Sequence, residues 1–254
     1  MRVAIDPRSE VGVRAGRVLL AERSLQVLGL LGRAPKDRDT RLTQVRDLAD
    51  YDLLVSDDTE DPVAAVRMAL QAGIGCVLFD DGDGIEAAYG EQFTEQGTTL
   101  LVGANLAAGV APALASHERT RGGTILEVTI AWTEPGSPIR RGEAIPFPDP
   151  VGARWARERA TEPGYKAFVA PLSGEWAAAM ARVTSATGGG VVTRVVGVAD
   201  LAVHLEALAL AAGAISLDVF APGVHRPAHA AEVYLAAALQ AGLDVAAYSL
   251  ETSA

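Results

Sequence analysis

The sequence has a single cysteine, Cys76, among its 254 residues, so it cannot form an internal disulfide. Proteins of oxidising compartments commonly carry disulfides, and their absence here predicts a cytoplasmic location. The N-terminus lacks a basic stretch followed by an apolar core, so no secretory signal is predicted. No run of about 18 apolar residues is free of charge, and the sequence predicts no membrane-spanning helix.

Basic residues are also scarce. Lysine and arginine number 22 against 32 aspartates and glutamates, which gives a formal net charge of −10. A net negative charge of this size repels nucleic acids and anionic membranes, but it still allows a small-molecule ligand to bind. The four histidines are scattered, and His225 and His229 are separated by Pro227, so no metal site is predicted. Motifs of nucleophilic hydrolases, P-loop nucleotidases and zinc peptidases are absent.

Strands and helices alternate in the first half of the sequence. The predicted strands are continuously apolar, which is typical of strands buried on both faces of a parallel sheet. They span residues 3–5, 25–32, 51–57, 73–80 and 98–104, and the predicted helices span residues 11–21, 61–73 and 85–97. Parallel strands need crossover connections, which these helices supply. We therefore predict an α/β fold with a doubly wound parallel sheet over about residues 1–115.

The pattern changes from Thr124 onward. Residues 124–132 alternate in polarity, as a half-buried antiparallel strand does. Further strands are predicted at 165–171, 191–200 and 215–223, helices at 174–187 and 228–242, a long loop after residue 132, and either helix or strand at 201–213. This half is predicted to be α+β, with a mainly antiparallel sheet that carries helices on one face.

Several short segments resemble the dihydrodipicolinate reductases. Where that family has Asp-Phe-Thr and then proline, this sequence has SDDTEDP (56–62); where it has Gly-Thr-Thr-Gly, the sequence has FDDG (79–82). The segment ANLAAGV (104–110) keeps Asn105, Gly109 and Val110 of a third family motif. In the second half, GEAIPFPDPVGARW and APGVHRPAH are similar to saccharopine dehydrogenase-like chains.

The resemblance implies a Rossmann-like domain over residues 1–118, with the C-terminal segment 228–254 as a candidate addition, and an α+β domain for substrate and oligomerisation over residues 119–227. It also implies an NAD(P)-dependent oxidoreductase that acts on a small amino or keto acid. A homo-oligomer built on residues 124–220 is expected, and its apolar stretches 124–132 and 201–214 support that expectation.

The phosphate-binding loop departs from the family pattern. The family has three glycines, and the corresponding positions here are Asp6, Ser9 and Gly12, of which only the last is glycine. Asp6 would repel a phosphate, while Arg8 could reach one. The second strand is followed by Arg33 and by no acid before Asp37, which favours a 2′-phosphate. The sequence therefore predicts NADP, bound weakly, or no dinucleotide at all.

Ligands of doubly wound sheets bind beyond the carboxyl ends of the strands. The candidate cofactor-binding residues are therefore Arg8, Ser9, Gly12, Arg33, Asp57, Thr59, Asp80 and Asn105, and the candidate substrate-binding residues are Asp81, Arg140 and Arg141. Asp57, Asp58, Asp80 and Asp81 are expected to face one crevice and to favour an amine-bearing ligand, unless they cap helices and face water separately.

The catalytic motif of the reductases is missing. Where the family has paired histidines and a lysine, this sequence has Trp132 and Thr133 and no lysine, so no catalytic residue is assigned. Two hypotheses remain open. The protein is either a divergent NAD(P)-dependent oxidoreductase or a pseudoenzyme of the same fold that has lost dinucleotide binding and serves as a ligand-binding or assembly protein.

Overall fold

The computed structural model describes residues 1–32, 34–35, 39–160, 164–172 and 174–252. The described strands are β1 (Arg2–Asp6), β2 (Val27–Leu30), β3 (Leu42–Gln44), β4 (Leu53–Ser56), β5 (Gly75–Leu78), β6 (Thr99–Leu101), β7 (Thr124–Glu134), β8 (Glu143–Pro146), β9 (Ala153–Arg159), β10 (Lys166–Pro171), β11 (Trp176–Thr187), β12 (Gly190–Leu201), β13 (Gly223–His225) and β14 (Ala246–Thr252). The described α-helices are α1 (Glu10–Ala21), α2 (Pro62–Ala72), α3 (Ile85–Gln96), α4 (Ala111–Arg119), α5 (Ala202–Ser216) and α6 (Ala231–Ala241).

The first sheet has the order β3-β2-β1-β4-β5-β6-β13, and its paired strands are parallel. The chain order reverses between β1 and β4, and the crevice at such a reversal is where open α/β sheets bind ligands. Alternate strand residues face opposite layers: Ile5 and Val55 pack with α1 and α5, whereas Leu54 and Cys76 pack with α2 and α3. The predicted doubly wound parallel sheet is thus confirmed.

The second sheet has the order β14-β12-β11-β7-β10-β9-β8. Only the β7–β10 pair is parallel among its described pairings, and the others are antiparallel. Helices α4, α5 and α6 pack on one face of this sheet, against side chains such as Val128, Ile130 and Val196. The predicted mainly antiparallel sheet with helices on one face is therefore confirmed.

The predicted helix over residues 174–187 is wrong. This segment is the strand β11, which pairs along its whole length with β12 and over most of it with β7. Its alanines favour a helix locally, but two long neighbouring strands supply more hydrogen bonds and override that preference. Ala177, Ala179 and Ala181 face the helix layer, where their small side chains let the helices approach closely.

Other predicted elements of the second half also differ. The predicted strand at 215–223 is wrong: the chain forms a 3-10 turn at Leu217–Val219, and only Gly223–His225 is a strand, which joins the first sheet. The predicted long loop contains β8 and the start of β9. The ambiguous segment 201–213 is helical, whereas β3 and β14 were not predicted.

Helix α5 lies between the two sheets. Leu210 and Ala214 pack on the first sheet, while Leu205 and Leu208 pack on the second. The segment Ala202–Val219 is long and apolar enough to cross a membrane by length and composition, yet 61% of it is buried inside the protein. Its apolarity is explained by these intramolecular contacts, so it no longer supports the predicted homo-oligomer. The domain boundaries at residues 118 and 227 stay predictions.

Candidate functional site

The N-terminus of α1 is capped by the carboxylate of Asp57. This side chain follows β4 and is only 4% exposed. It accepts hydrogen bonds from the backbone N–H groups of Arg8 at 2.6 Å, Ser9 at 2.9 Å and Gly12 at 2.8 Å, and from the Ser9 hydroxyl. These groups would otherwise be free donors, because the first turn of a helix has no internal acceptors for them. One carboxylate therefore satisfies three backbone donors at the anion-binding end of the helix.

Arg8 forms ion pairs at the same end of the sheet. Its Nε atom lies 2.9 Å from Asp6 and 3.6 Å from Asp58. The hydrogen bond to Asp6 raises the pKa of the Arg8 guanidinium. Asp58 accepts from the backbone N–H groups of Asp61 and Glu60, and these bonds lower the pKa of its carboxyl. Backbone donors and Arg8 thus compensate these acids, and Asp57 caps a helix, as one of the two alternatives open from the sequence expected.

Asn105 organises the end of β5. Its amide donates to the Phe79 carbonyl and to the Asp81 carboxylate, both at 2.7 Å, and its side-chain oxygen accepts from Ala108 N–H at 2.7 Å. Asp80 accepts from Gly82 N–H at 2.9 Å. Asn105 thereby caps the π-helical turn Leu106–Val110 that leads into α4. Asp80 and Asp81 therefore have hydrogen-bond partners within the chain as well.

Glu206 on α5 reaches the same turn. Its Oε2 atom accepts from Leu106 N–H at 2.7 Å. Burial between the sheets raises the pKa of this carboxyl to about 7, and the nearby Asp81 adds to the rise, whereas the bond from Leu106 opposes it. Glu206 is therefore expected to change charge near neutral pH.

A cleft of about 470 Å³ opens between the carboxyl end of the first sheet and the helix-bearing face of the second. Its apolar wall is formed by Ile130, Trp132 and neighbouring small residues. Its polar lining residues are Asp81, Asp83, Ser116, Arg159, Tyr165, Arg226 and His229. The volume suits a small molecule.

Charges of both signs line this cleft. Asp81 and Asp83 come from the first sheet, Arg226 follows β13, and Arg159 ends β9. Arg159 is paired with Glu134 at 3.0 Å and stacks over Trp132, whereas Arg226 makes no ion pair within the described part of the chain. The indole N–H of Trp132 is buried and has no hydrogen-bond partner among the described residues. Over these ranges, the cleft thus offers one guanidinium without an ion pair and two carboxylates.

The structure gathers the predicted site residues into two groups. Arg8, Ser9, Gly12 and Asp57 meet at α1, and Asp80, Asp81 and Asn105 meet after β5. Thr59 is exposed in the bend after β4, and Arg33 lies outside the described residues. Arg140 and Arg141 are exposed just before the edge strand β8 and are not among the residues that line the cleft.

Sequence patterns did not indicate Glu206, Arg159 or Arg226 as site residues. Arg226 reaches the cleft because β13 adds to the first sheet, which no local pattern predicted. Arg159 lies on β9, a strand of mostly charged residues that shows little apolar alternation. Over the described ranges, no group of three or more His, Cys, Asp or Glu side chains is arranged to hold a metal ion.

The chain is similar to known proteins in structure, whereas the sequence comparisons find no match. A scan of protein-family models finds no match, and a search of curated protein sequences finds none either. The apo form of the L-glutamate-forming saccharopine dehydrogenase of Saccharomyces cerevisiae is similar with a TM-score of 0.68 at 8% identity, over 98% of this chain and 100% of that chain.

Two further solved structures share the same arrangement. Dipicolinate-bound dihydrodipicolinate reductase from Paenisporosarcina sp. TG-14 has a TM-score of 0.53 at 12% identity, over 89% of this chain and 97% of that one. The DAP dehydrogenase of C. glutamicum, in complex with DAP, has a TM-score of 0.56 at 14% identity, over 92% and 95%. The resemblance predicted from the sequence is confirmed at the level of fold: the chain shares the fold of these three solved structures.

Proposed function

We propose that this protein binds a small zwitterionic amino acid in the cleft between its two sheets. The observation that carries the proposal is the placement of Arg226, which has no ion pair among the described residues, around the same cavity of about 470 Å³ as Asp81 and Asp83. A guanidinium binds a carboxylate through parallel hydrogen bonds, and a pair of carboxylates suits an ammonium group. A zwitterion is therefore the ligand class whose two charges both find partners.

The chain's own residues would hold such a ligand in one orientation. Arg226 would take the carboxylate, and Asp81, whose orientation is fixed by Asn105, would take the ammonium together with Asp83. The apolar wall at Trp132 and Ile130 would contact the side chain of the ligand and exclude water.

The first candidate activity is an oxidoreductase reaction on the bound amino acid. It is supported by the shared fold, because the solved structures that resemble this chain include DAP dehydrogenase with DAP and an engineered D-amino acid dehydrogenase with NADP⁺. The nicotinamide dinucleotide that the resemblance implies does not fit the end of α1, where Asp57 already accepts the N–H groups of Ser9 and Gly12.

A non-catalytic ligand-binding or assembly protein is the second candidate. The comparisons do not support it, but the Asp57 contacts do, because they satisfy the donors that a pyrophosphate would need. A preference for NADP over NAD, a homo-oligomeric state and a cytoplasmic location also remain proposals.

Calorimetric titration with matched ligands tests the proposed binding. L-glutamate, L-lysine and L-alanine carry both charges, whereas glutarate carries only carboxylates and cadaverine only amines. We expect saturable binding of at least one amino acid and at least about tenfold weaker binding of both single-charge analogues. Equal affinity for cadaverine and the amino acids, or no binding of any amino acid, would contradict the proposal.

Substitutions in the cleft provide the controls. Arg226→Gln should weaken amino-acid binding by about tenfold or more, because the carboxylate loses a charged partner. Arg46→Gln removes the same charge from an exposed position that is not among the cleft residues, and its affinity should match the wild type. Addition of NADP⁺ or NAD⁺ to the amino-acid complex, followed at 340 nm, then separates the oxidoreductase from the non-catalytic candidate.

A further inference from the structure

We infer that Asp57 is a built-in substitute for a nucleotide phosphate. Its carboxylate lies at the chain reversal between β1 and β4, against the N-terminus of the helix that comes after β1. In a doubly wound sheet this is where a dinucleotide places its pyrophosphate. Here the position is filled from within the chain, and the site is closed to dinucleotides. This inference does not depend on the amino-acid cleft.

Five backbone N–H groups around the helix end are satisfied without a ligand. Asp57 accepts from the N–H groups of Arg8, Ser9 and Gly12. The N–H of Val11 donates to the Ser9 hydroxyl oxygen at 3.1 Å, and that of Val13 donates to the Ser9 carbonyl at 3.3 Å. A phosphate would have to displace the carboxylate before it could bind these groups.

The shape of the loop matches Asp57 rather than a ligand. A Cβ atom at residue 12 would lie 2.6 Å from Cγ of Asp57, so Gly12 is the residue that lets the carboxylate approach. In the family pattern this third glycine serves the packing of helix on strand. In this chain, the room that the glycine provides is taken up by Asp57.

The local charge also opposes a phosphate. Asp6, Asp57 and Asp58 lie at the ends of β1 and β4, and Arg8 is the cation that pairs with two of them. A dinucleotide would add further negative charge to this group in a site where Asp6 and Asp57 are almost fully buried.

A second helix end at this edge of the sheet is closed in the same manner. Glu206 accepts from Leu106 N–H and Asn105 accepts from Ala108 N–H, both at 2.7 Å. Two of the helix N-termini at the carboxyl end of the first sheet, those of α1 and of the turn before α4, are thus capped by side chains of the chain itself.

Titration of NADPH and of inorganic pyrophosphate tests the inference. Both probes are added to the wild-type protein, to Asp57→Gly and to Asp57→Asn, with calorimetry and amide NMR as readouts. We expect a wild-type Kd weaker than about 1 mM and unshifted Ser9 and Gly12 amide resonances. Asp57→Gly, which frees the donors, should bind pyrophosphate at least about tenfold more tightly than the wild type.

Asp61→Asn is the matched control. Asp61 caps α2 on the same sheet, so the variant removes the same charge at a helix end while leaving α1 untouched, and its affinities should equal those of the wild type. Micromolar binding of NADPH to the wild type with shifted Ser9 and Gly12 amides would overturn the inference, and so would Asp57 variants that bind no more tightly. If Asp57→Gly does not fold, Asp57→Asn and the wild-type spectra decide the outcome.

Discussion

The carboxylate of Asp57 lies 2.8 Å from the amide nitrogen of Gly12, and no side chain larger than hydrogen fits at residue 12 beside it. This contact joins the ends of β1 and β4 to the first turn of α1. The same buried carboxylate of Asp57 therefore stabilises the first sheet and closes its phosphate site.

Gly12→Ala should therefore destabilise the protein by about 1–3 kcal/mol, because the new methyl group overlaps Asp57 and one of the two must move. Chemical denaturation measures this change. Gly16→Ala on the same helix is the control: its Cβ would lie 3.6 Å from Leu28 and 3.8 Å from Ile5, which are ordinary contacts. It should be neutral or stabilising by up to about 1 kcal/mol. Equal effects of the two substitutions would contradict the close approach of Asp57.

Asn105→Ala should destabilise the protein by about 1–3 kcal/mol, because it leaves the partly buried Phe79 carbonyl and Ala108 N–H without their partner. Thermal unfolding followed by circular dichroism measures the loss. Asp47→Ala removes a cap from an exposed 3-10 turn and should cost less, about 1 kcal/mol or below. A loss at Asn105 no larger than that at Asp47 would mean that Asn105 does not organise the end of β5.

Cys76 should resist alkylation in the folded protein. It is fully buried in β5, and burial raises the pKa of its thiol, so little reactive thiolate forms at neutral pH. Because it is the single cysteine of the sequence, its labelling by iodoacetamide reports directly on opening of the first sheet. Mass spectrometry should find labelling at least about a hundredfold slower in buffer than in denaturant. Comparable rates in both would show that this strand is accessible.

The parallel half of the fold could be predicted because its local signals agree with its tertiary environment. The strand around Val55 is apolar on both faces, and α2 carries Asp61 as its cap and Gly73 at its end, as the sequence suggested. The second half was harder, because β11 is rich in alanine and its strand conformation depends on β7 and β12, whose pairing with it no local pattern specifies.

The site was only partly predictable for a related reason. Strand ends identified Asp57 and Asn105 as site residues, but the sequence could not show that Asp57 turns toward the chain's own helix rather than toward a ligand. Arg226 and Glu206 arrive from elements that come after most of the second sheet and return to the first. Such returns depend on long-range packing and leave no local pattern.

Glu206 should make the stability of the protein fall as the pH rises toward neutrality. The pKa of its carboxyl is about 7 in the folded protein against an ordinary value of 4.5, mainly because of burial. Between these two pKa values the folded state holds a proton that the unfolded state releases. The stabilisation of the folded state by this proton is therefore complete below about pH 4.5 and is lost as the pH rises through 7. The loss is at most about 3 kcal/mol.

Glu206→Gln removes the titration while its amide oxygen can still accept from Leu106 N–H. The variant should unfold at the same denaturant concentration as the wild type near pH 4.5 and at a higher one at pH 8, and the difference should develop between these values. Glu232→Gln, at an exposed position on α6, should follow the wild-type pH profile. If the two substitutions gave the same profile, Glu206 would not be the group that loses its proton near pH 7.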